Sequence, residues 1–265
     1  MPYELYAIKY AEHARSARAN FIGGDIHDGP MPMDYFVWLI RNGKRSILVD
    51  TGFTRETAVR RGRRFLQCPA DTLRALGTAP EQITDVIITH LHYDHAGNFS
   101  LFPRATFHVQ DLEMQFATGR HMRHEPLREA YEVEDVVTLV REVYNGRVQF
   151  HNGLSLLVPG IGLHLIGGHT MGLQAVTVET RRGVVVLASD ASHYYANMES
   201  ERPFPIVYNV GDMAEGWNRL EALAESRQHI VPGHDPAVLR LYPSPSSALK
   251  GVVATLDASP NSTTS

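Results

Sequence analysis

The segment His90-Leu91-His92-Tyr93-Asp94-His95 places three imidazoles and a carboxylate within six residues, directly after the apolar run Val86-Ile87-Ile88. A β-branched run preceded by Thr84-Asp85 predicts a buried strand, and Ala96-Gly97-Asn98 predicts a turn into a short helix. The ligand-type residues therefore sit on a strand-to-helix loop. In an extended segment His90, His92 and Asp94 point to one side, and the turn brings His95 to an adjacent position. That arrangement suits two neighbouring cations better than one. Imidazole and carboxylate without thiolate favour Zn²⁺, with Mn²⁺, Fe²⁺ and Co²⁺ open by the same ligand logic.

A chain of 265 residues with 43% hydrophobic content is long enough to bury a substantial core, and we read residues 1–265 as a single α/β domain. A formal net charge of −4 and the lack of a long basic block argue against nucleic acid as a partner. Arg60, Arg61, Arg63 and Arg64 around Gly62 form the densest basic patch, read as a solvated helix face. Cys68 is the only cysteine, so the chain forms no internal disulfide, and a reducing cytoplasm fits. Neither an export signal nor an apolar segment long enough to span a bilayer is present, which predicts no membrane partner.

Along the chain, residues 5–10 predict a first strand, and Asn42-Gly43 between two apolar runs predicts a hairpin over 35–49. Asp50 ends that hairpin, where a carboxylate can orient a ligand histidine or simply form a turn. Residues 56–65 and 72–76 read as helices. Residues 106–109 read as a strand followed by a helix capped at Asp111. Val133, Val136, Val137 and Val140 recur at helical spacing and predict a core face. A second hairpin is predicted around Arg181-Arg182-Gly183, then a helix over 212–225 and a short strand over 229–231. The polar tail 257–265 is expected to fray. Strands near both ends, flanked by helical segments, predict a two-layered sheet core with helices outside.

Three later residues share one setting, a glycine turn or strand end beyond an apolar run. They are His169 after Gly167-Gly168, Asp190 after Leu187-Ala188-Ser189, and His234 after Pro232-Gly233. With these in place the sequence resembles the metallo-β-lactamase superfamily, whose signature is HxHxDH followed by a distant His, an Asp and a final His. The match runs from about Tyr35 to His234. The resemblance implies an αββα sandwich and two divalent metal ions, taken as zinc. It assigns His90, His92 and His169 to one ion, and Asp94, His95 and His234 to the other. Asp190 would bridge them.

A metal pair about 3.5–4 Å apart can hold a bridging hydroxide and polarise a carbonyl, which predicts hydrolysis. His92 stands where oxygen-reducing di-iron relatives carry Glu, which disfavours a redox function. Glyoxalase-II-like thioesterases share all seven ligands. The contexts Leu91-His92-Tyr93-Asp94-His95-Ala96-Gly97 and Asp190-Ala191-Ser192 most resemble the N-acyl homoserine lactone hydrolases, which implies opening of a small-molecule lactone. That family places a Tyr three residues beyond the bridging Asp, to contact the substrate carbonyl. Here the position is His193, followed by Tyr194. The departure keeps other lactones, such as a 4-pyridoxolactone-like ring, and esters in play. The catalytic candidates are Asp94, as proton relay, and His193 or Tyr194, as carbonyl hydrogen-bond donor. A metal sensor without turnover is disfavoured by the intact ligand set, and the sequence does not fix the oligomeric state.

Overall fold

The computed structural model describes residues 2–261. The first sheet takes seven early strands, β1 (Glu4–His13), β2 (Met33–Asn42), β3 (Arg45–Val49), β4 (Arg64–Phe65), β5 (Asp85–Ile87), β6 (Thr106–Gln110) and β7 (Val148–His151). The second is built from β8 (Leu154–Val158), β9 (Ile161–Leu165), β10 (Gln174–Thr180), β11 (Gly183–Ser189) and β12 (Ile230–Pro232). A last strand, β13 (Val253–Thr255), returns to the edge of the first sheet. The order is β13-β1-β2-β3-β5-β6-β7, with β4 also on β1, against β12-β11-β10-β9-β8. The helices are α1 (Arg55–Arg60), α2 (Pro69–Ala75), α3 (Asp111–Ala117), α4 (Glu125–Arg128), α5 (Val133–Tyr144), α6 (Tyr195–Glu199), α7 (Val210–Leu223) and α8 (Ala237–Leu241).

Strand β2 shows why the layers stack. Phe36, Trp38 and Ile40 on one side meet Leu163, Val176, Val178 and Leu187 of the second sheet. The alternate residues Tyr35, Val37 and Leu39 share a core with Leu73 of α2 and with Phe116 and Leu139 of α3 and α5. A strand buried on both faces reads as a continuous apolar run. On the far side of the second sheet, Val186 and Ala188 pack with Met213, Trp217 and Leu220 of α7. The fold is thus a helix–sheet–sheet–helix sandwich, with each large buried side chain contributing roughly 1.5–3 kcal/mol.

Several expectations shift in detail. The first strand runs longer than 5–10, from Glu4 to His13. Helix α1 stops at Arg60, because the chain turns at Gly62 (φ +62°) and Arg64–Phe65 pairs with β1 instead of continuing the helix. The basic patch is solvated at Arg60 and Arg64 but not at its centre: the Arg61 guanidinium lies 4.0 Å from the centre of the Tyr93 ring, and Arg63 Nε donates to the Tyr93 hydroxyl at 3.0 Å. Asp111 is the first residue of α3 rather than its cap. On α5 Val136 and Leu139 are buried, but Val133 is exposed. Of the tail 257–265, Asp257 is buried and pairs with Arg181 at 2.8 Å, and residues 262–265 lie outside the described residues.

One buried carboxylate ties the layers together where the ligand loops emerge. Glu113 of α3 is fully buried and accepts from Leu91 N (2.9 Å), Tyr131 Oη (3.1 Å), Thr170 Oγ1 (2.5 Å) and Gly172 N (3.2 Å). Gly172 lies so close that a Cβ there would come within 2.0 Å of Glu113 N. Glu113→Ala strands four donors, two of them backbone amides, and each unsatisfied buried group costs ~1–3 kcal/mol. We expect that variant to lose about 3 kcal/mol or more in urea denaturation; a loss below about 1 kcal/mol would mean that water replaces the carboxylate.

Candidate metal centre

All the ligand-type residues follow strand ends at one edge of the sandwich. His90, His92, Asp94 and His95 follow β5, His169 follows β9, Asp190 follows β11, and His234 follows β12. Glycines make the approach possible. Gly167 and Gly168 adopt φ of +75° and +85°, and a Cβ on Gly168 would meet Met213 N at 2.5 Å. A Cβ on Gly233 would sit 2.7 Å from Asp190 Oδ1.

The side chains converge as three overlapping groups, one of them Asp190, His193 and His234. His90, His92, His169 and Asp190 offer atoms all within 4.8 Å of one another, and Asp94, His95 and His234 do the same. Asp190 spans them: Oδ2 is 3.8 Å from His90 Nε2 and 3.2 Å from His169 Nε2. Its Oδ1 is 3.3 Å from His95 Nε2 and 3.0 Å from His234 Nε2. All seven residues expected to bind metal are therefore brought together, and all are buried.

The outer nitrogens of four of the five rings are already engaged, while His92 Nδ1 faces His169 Nε2 at 2.8 Å within the cluster. His95 Nδ1 pairs with Asp50 Oδ2 (2.7 Å), His169 Nδ1 with Ile206 O (2.7 Å), His234 Nδ1 with Asp34 O (2.9 Å) and His90 Nδ1 with Thr89 Oγ1 (3.1 Å). Where the partner is a carbonyl or carboxylate, Nδ1 must carry the proton, which leaves an Nε2 lone pair facing inward. Asp50, the candidate orienting carboxylate, takes that role toward His95 and also accepts from Thr89 N and Oγ1.

The electrostatics ask for cations. Burial, reinforced by the neighbouring imidazoles, drives the His90 and His92 pKa values well below the usual histidine range. His95 goes the other way: burial opposes its charge, but Asp190, Asp94 and Asp50 hold its pKa well above that range. Burial would raise the Asp190 pKa, yet His193, His234 and His95 pull it well down. Meanwhile Nε2 of His90, Nε2 of His95 and Oδ1 of Asp190 are buried without a hydrogen-bond partner. A cation would take the place of the proton that the carboxylates hold on His95, and inward nitrogen and oxygen atoms left without partners are the donor set that divalent metal ions satisfy, so the residues fit the group.

The two carbonyl-donor candidates part company. His193 joins the cluster, with Nε2 at 3.1 Å from Asp190 Oδ2, and its ring stacks on Phe204 at 3.8 Å between centroids. Tyr194 points elsewhere, its hydroxyl accepting from Asn20 Nδ2 at 3.1 Å. A cavity of about 270 Å³ opens over the cluster, lined among others by Tyr35, Tyr93, Asp94, His193 and Phe204. The sequence reading missed Glu113, whose partners lie far along the chain, and the arginines at this cavity, whose basic run resembled a surface. Of the remaining histidines, His121 packs on Phe116 and Tyr208, and His108 links Asp85 to His151.

The family model for the metallo-β-lactamase superfamily matches residues 31–238. An N-acyl homoserine lactonase of Bacillus cereus is 31% identical over 75% of this chain and 81% of its own length. Another N-acyl homoserine lactonase, of a Bacillus species, is 29% identical over 83% of this chain and 87% of its own. Among solved structures, a quorum-quenching N-acyl homoserine lactone lactonase superposes with a TM-score of 0.72 at 25% identity, covering 88% of this chain and 92% of that one. With the sandwich, the ligand order and these relatives in agreement, the chain belongs to the metallo-β-lactamase superfamily, among its N-acyl homoserine lactonase-like members.

Proposed function

We propose that this chain, a metal-dependent hydrolase by family, works as a single domain that opens a lactone ring, with N-acyl homoserine lactones as the leading substrate class. The observation that carries the reading is Asp190, whose two oxygens each face one ligand trio. In this reading His90, His92 and His169 would hold one ion and Asp94, His95 and His234 a second, with Asp190 available to both; zinc suits the all-N/O set. Two such ions would lower the pKa of water and polarise an ester carbonyl.

The chain's own residues supply the rest. Asp94 lines the cavity with Oδ2 at 3.6 Å from both His95 Nε2 and His234 Nε2. From there it can take the proton released by the attacking water and pass it to the ring oxygen as the C–O bond breaks. His193 borders the same cavity, and burial brings its pKa down to about 3 despite the neighbouring Asp190. At neutral pH it is thus an uncharged imidazole whose one N–H sits on Nε2 toward Asp190 Oδ2, and it is this N–H, shared with or released from Asp190, that can donate a hydrogen bond to the carbonyl oxygen. Phe204 fixes its ring plane. Tyr194, bonded to Asn20, is left out of the chemistry.

Lactone chemistry is favoured over a thioester or β-lactam reaction by the named activity of the relatives. The histidine in place of the family tyrosine keeps a different lactone or an ester as the second reading. Among the described residues no helix is long and apolar enough to cross a membrane, and the lone Cys68 fits a cytoplasmic setting.

Elemental analysis of protein purified without chelator is expected to give about two divalent ions per chain; a value that stays near zero after metal supplementation would remove the centre. A panel of N-acyl homoserine lactones, simple γ-lactones, thioesters and β-lactams should show turnover concentrated in the lactones, and a best substrate among the thioesters would reassign the reaction. Asp94→Asn should retain part of its metal and lose most turnover, whereas near-normal kcat would exclude it as the proton relay. His193→Ala should cut kcat roughly 10²-fold, the usual cost of one transition-state donor, with Tyr194→Phe nearly neutral for kcat. The reverse ranking would give the donor role to Tyr194.

A further inference from the structure

The mouth of the cavity is more basic than a neutral acyl lactone needs. Arg15, Arg61 and Arg63 all line it, against Glu129 as the acidic side chain outside the metal cluster. Arg61 is committed, since its Nε pairs with Glu132 at 2.7 Å. Arg15 and Arg63 are not: among the described residues neither has a carboxylate within 4.0 Å. Both are nonetheless held in place. Arg15 donates from Nε to Asn20 Oδ1 (2.6 Å) and from Nη2 to Ala19 O (2.5 Å), and its guanidinium lies 4.9 Å from the Phe204 ring centroid. Arg63 donates from Nε to Tyr93 Oη (3.0 Å) and from Nη1 to Arg61 O (2.6 Å), with His13 Nε2 3.3 Å away.

Two details narrow what they face. Burial, then Arg63 and Arg15, bring the His13 pKa down to about 4, so at neutral pH this imidazole beside Arg63 adds no charge of its own. Each arginine also has one nitrogen, Nη1 of Arg15 and Nη2 of Arg63, without a partner among the described residues. Two half-buried, preorganised donors suit the two oxygens of a carboxylate. They stand one aromatic layer out from the metal cluster: Phe204 stacks on His193, and Tyr93 precedes Asp94 in the chain.

We propose that Arg15 and Arg63 form an anion subsite that binds a carboxylate carried by the substrate on the side away from the scissile carbonyl. The substrate class is then an acidic lactone, a γ-lactone with a short carboxylate-bearing arm, which refines the lactonase reading and rests on it.

The test compares a γ-butyrolactone bearing a pendant carboxylate with its primary amide, under steady-state conditions with the metal-loaded enzyme. The acid should be preferred in kcat/KM by about tenfold to a hundredfold, the range of one to two charge-assisted hydrogen bonds. Arg63→Gln and Arg15→Gln should each bring that preference toward unity, mainly through KM for the acid. Because the ratio is taken within one variant, a general loss of activity cancels. Equal use of acid and amide by the unaltered enzyme, or a preference that survives both substitutions, overturns the subsite. Calorimetric binding of glutarate to chelator-treated protein separates the two readings. If no lactone is turned over but glutarate binds and the arginine variants abolish it, the subsite stands and the lactonase reading fails; no glutarate binding in that case removes the subsite as well.

Discussion

Asp190 is a carboxylate with almost no access to water, and the sandwich can bury it only because imidazole nitrogens surround both of its oxygens. A buried charge without such company costs several kcal/mol. The company comes from four separate loops, so it exists only while both sheets hold their strand ends at fixed spacing. The inter-sheet core of Trp38, Ile40, Leu163 and Leu187 sets that spacing. Hydrophobic packing and site electrostatics are therefore coupled: each ligand loop leaves from a strand that the core has already positioned.

Backbone strain marks the two strand ends where aim matters most. Asp50 closes β3 with φ +61°, and Ser189 closes β11 with φ +47°, both in the left-handed region that non-glycine residues avoid. Such positions cost of order 1–3 kcal/mol and persist only when neighbours over-determine them. Here the neighbours are Thr89, whose N–H and hydroxyl both donate to Asp50, and Ser189 Oγ, which donates to Thr89 Oγ1 at 2.9 Å. Thr89 thus joins the two sheets one residue before the first ligand. The strain turns Asp50 toward His95 and delivers Asp190 into the cluster from the opposite sheet.

What the sequence revealed follows from how local each signal is. The residues that converge were legible because the His90 to His95 spacing lies within one loop and because glycines stand beside His169 and His234. Both hairpins were legible from turn chemistry. Glu113 was not, because it looks like any acidic residue in a first helical turn, and its partners Leu91, Tyr131, Thr170 and Gly172 meet it only in three dimensions. The arginines failed for a related reason: a basic run with helical flanks reads as solvated until Gly62 turns it and brings Arg61 and Arg63 onto Tyr93. The sequence left both carbonyl-donor candidates open; in the structure His193 reaches the cluster and the Tyr194 hydroxyl faces Asn20.

His234 and Asp34 grip each other twice, Asp34 N donating to His234 O at 3.0 Å and His234 Nδ1 facing Asp34 O at 2.9 Å, across 200 residues of chain. During synthesis the histidines of the motif loop emerge first, and the trio with His169 acquires its carboxylate only once Asp190 has left the ribosome. The other trio must wait for His234 to find a strand made long before. The cluster is therefore completed late in the life of the nascent chain, in an order fixed by topology: His90, His92, His169 and Asp190 are all synthesised at least 44 residues (234 − 190) before His234.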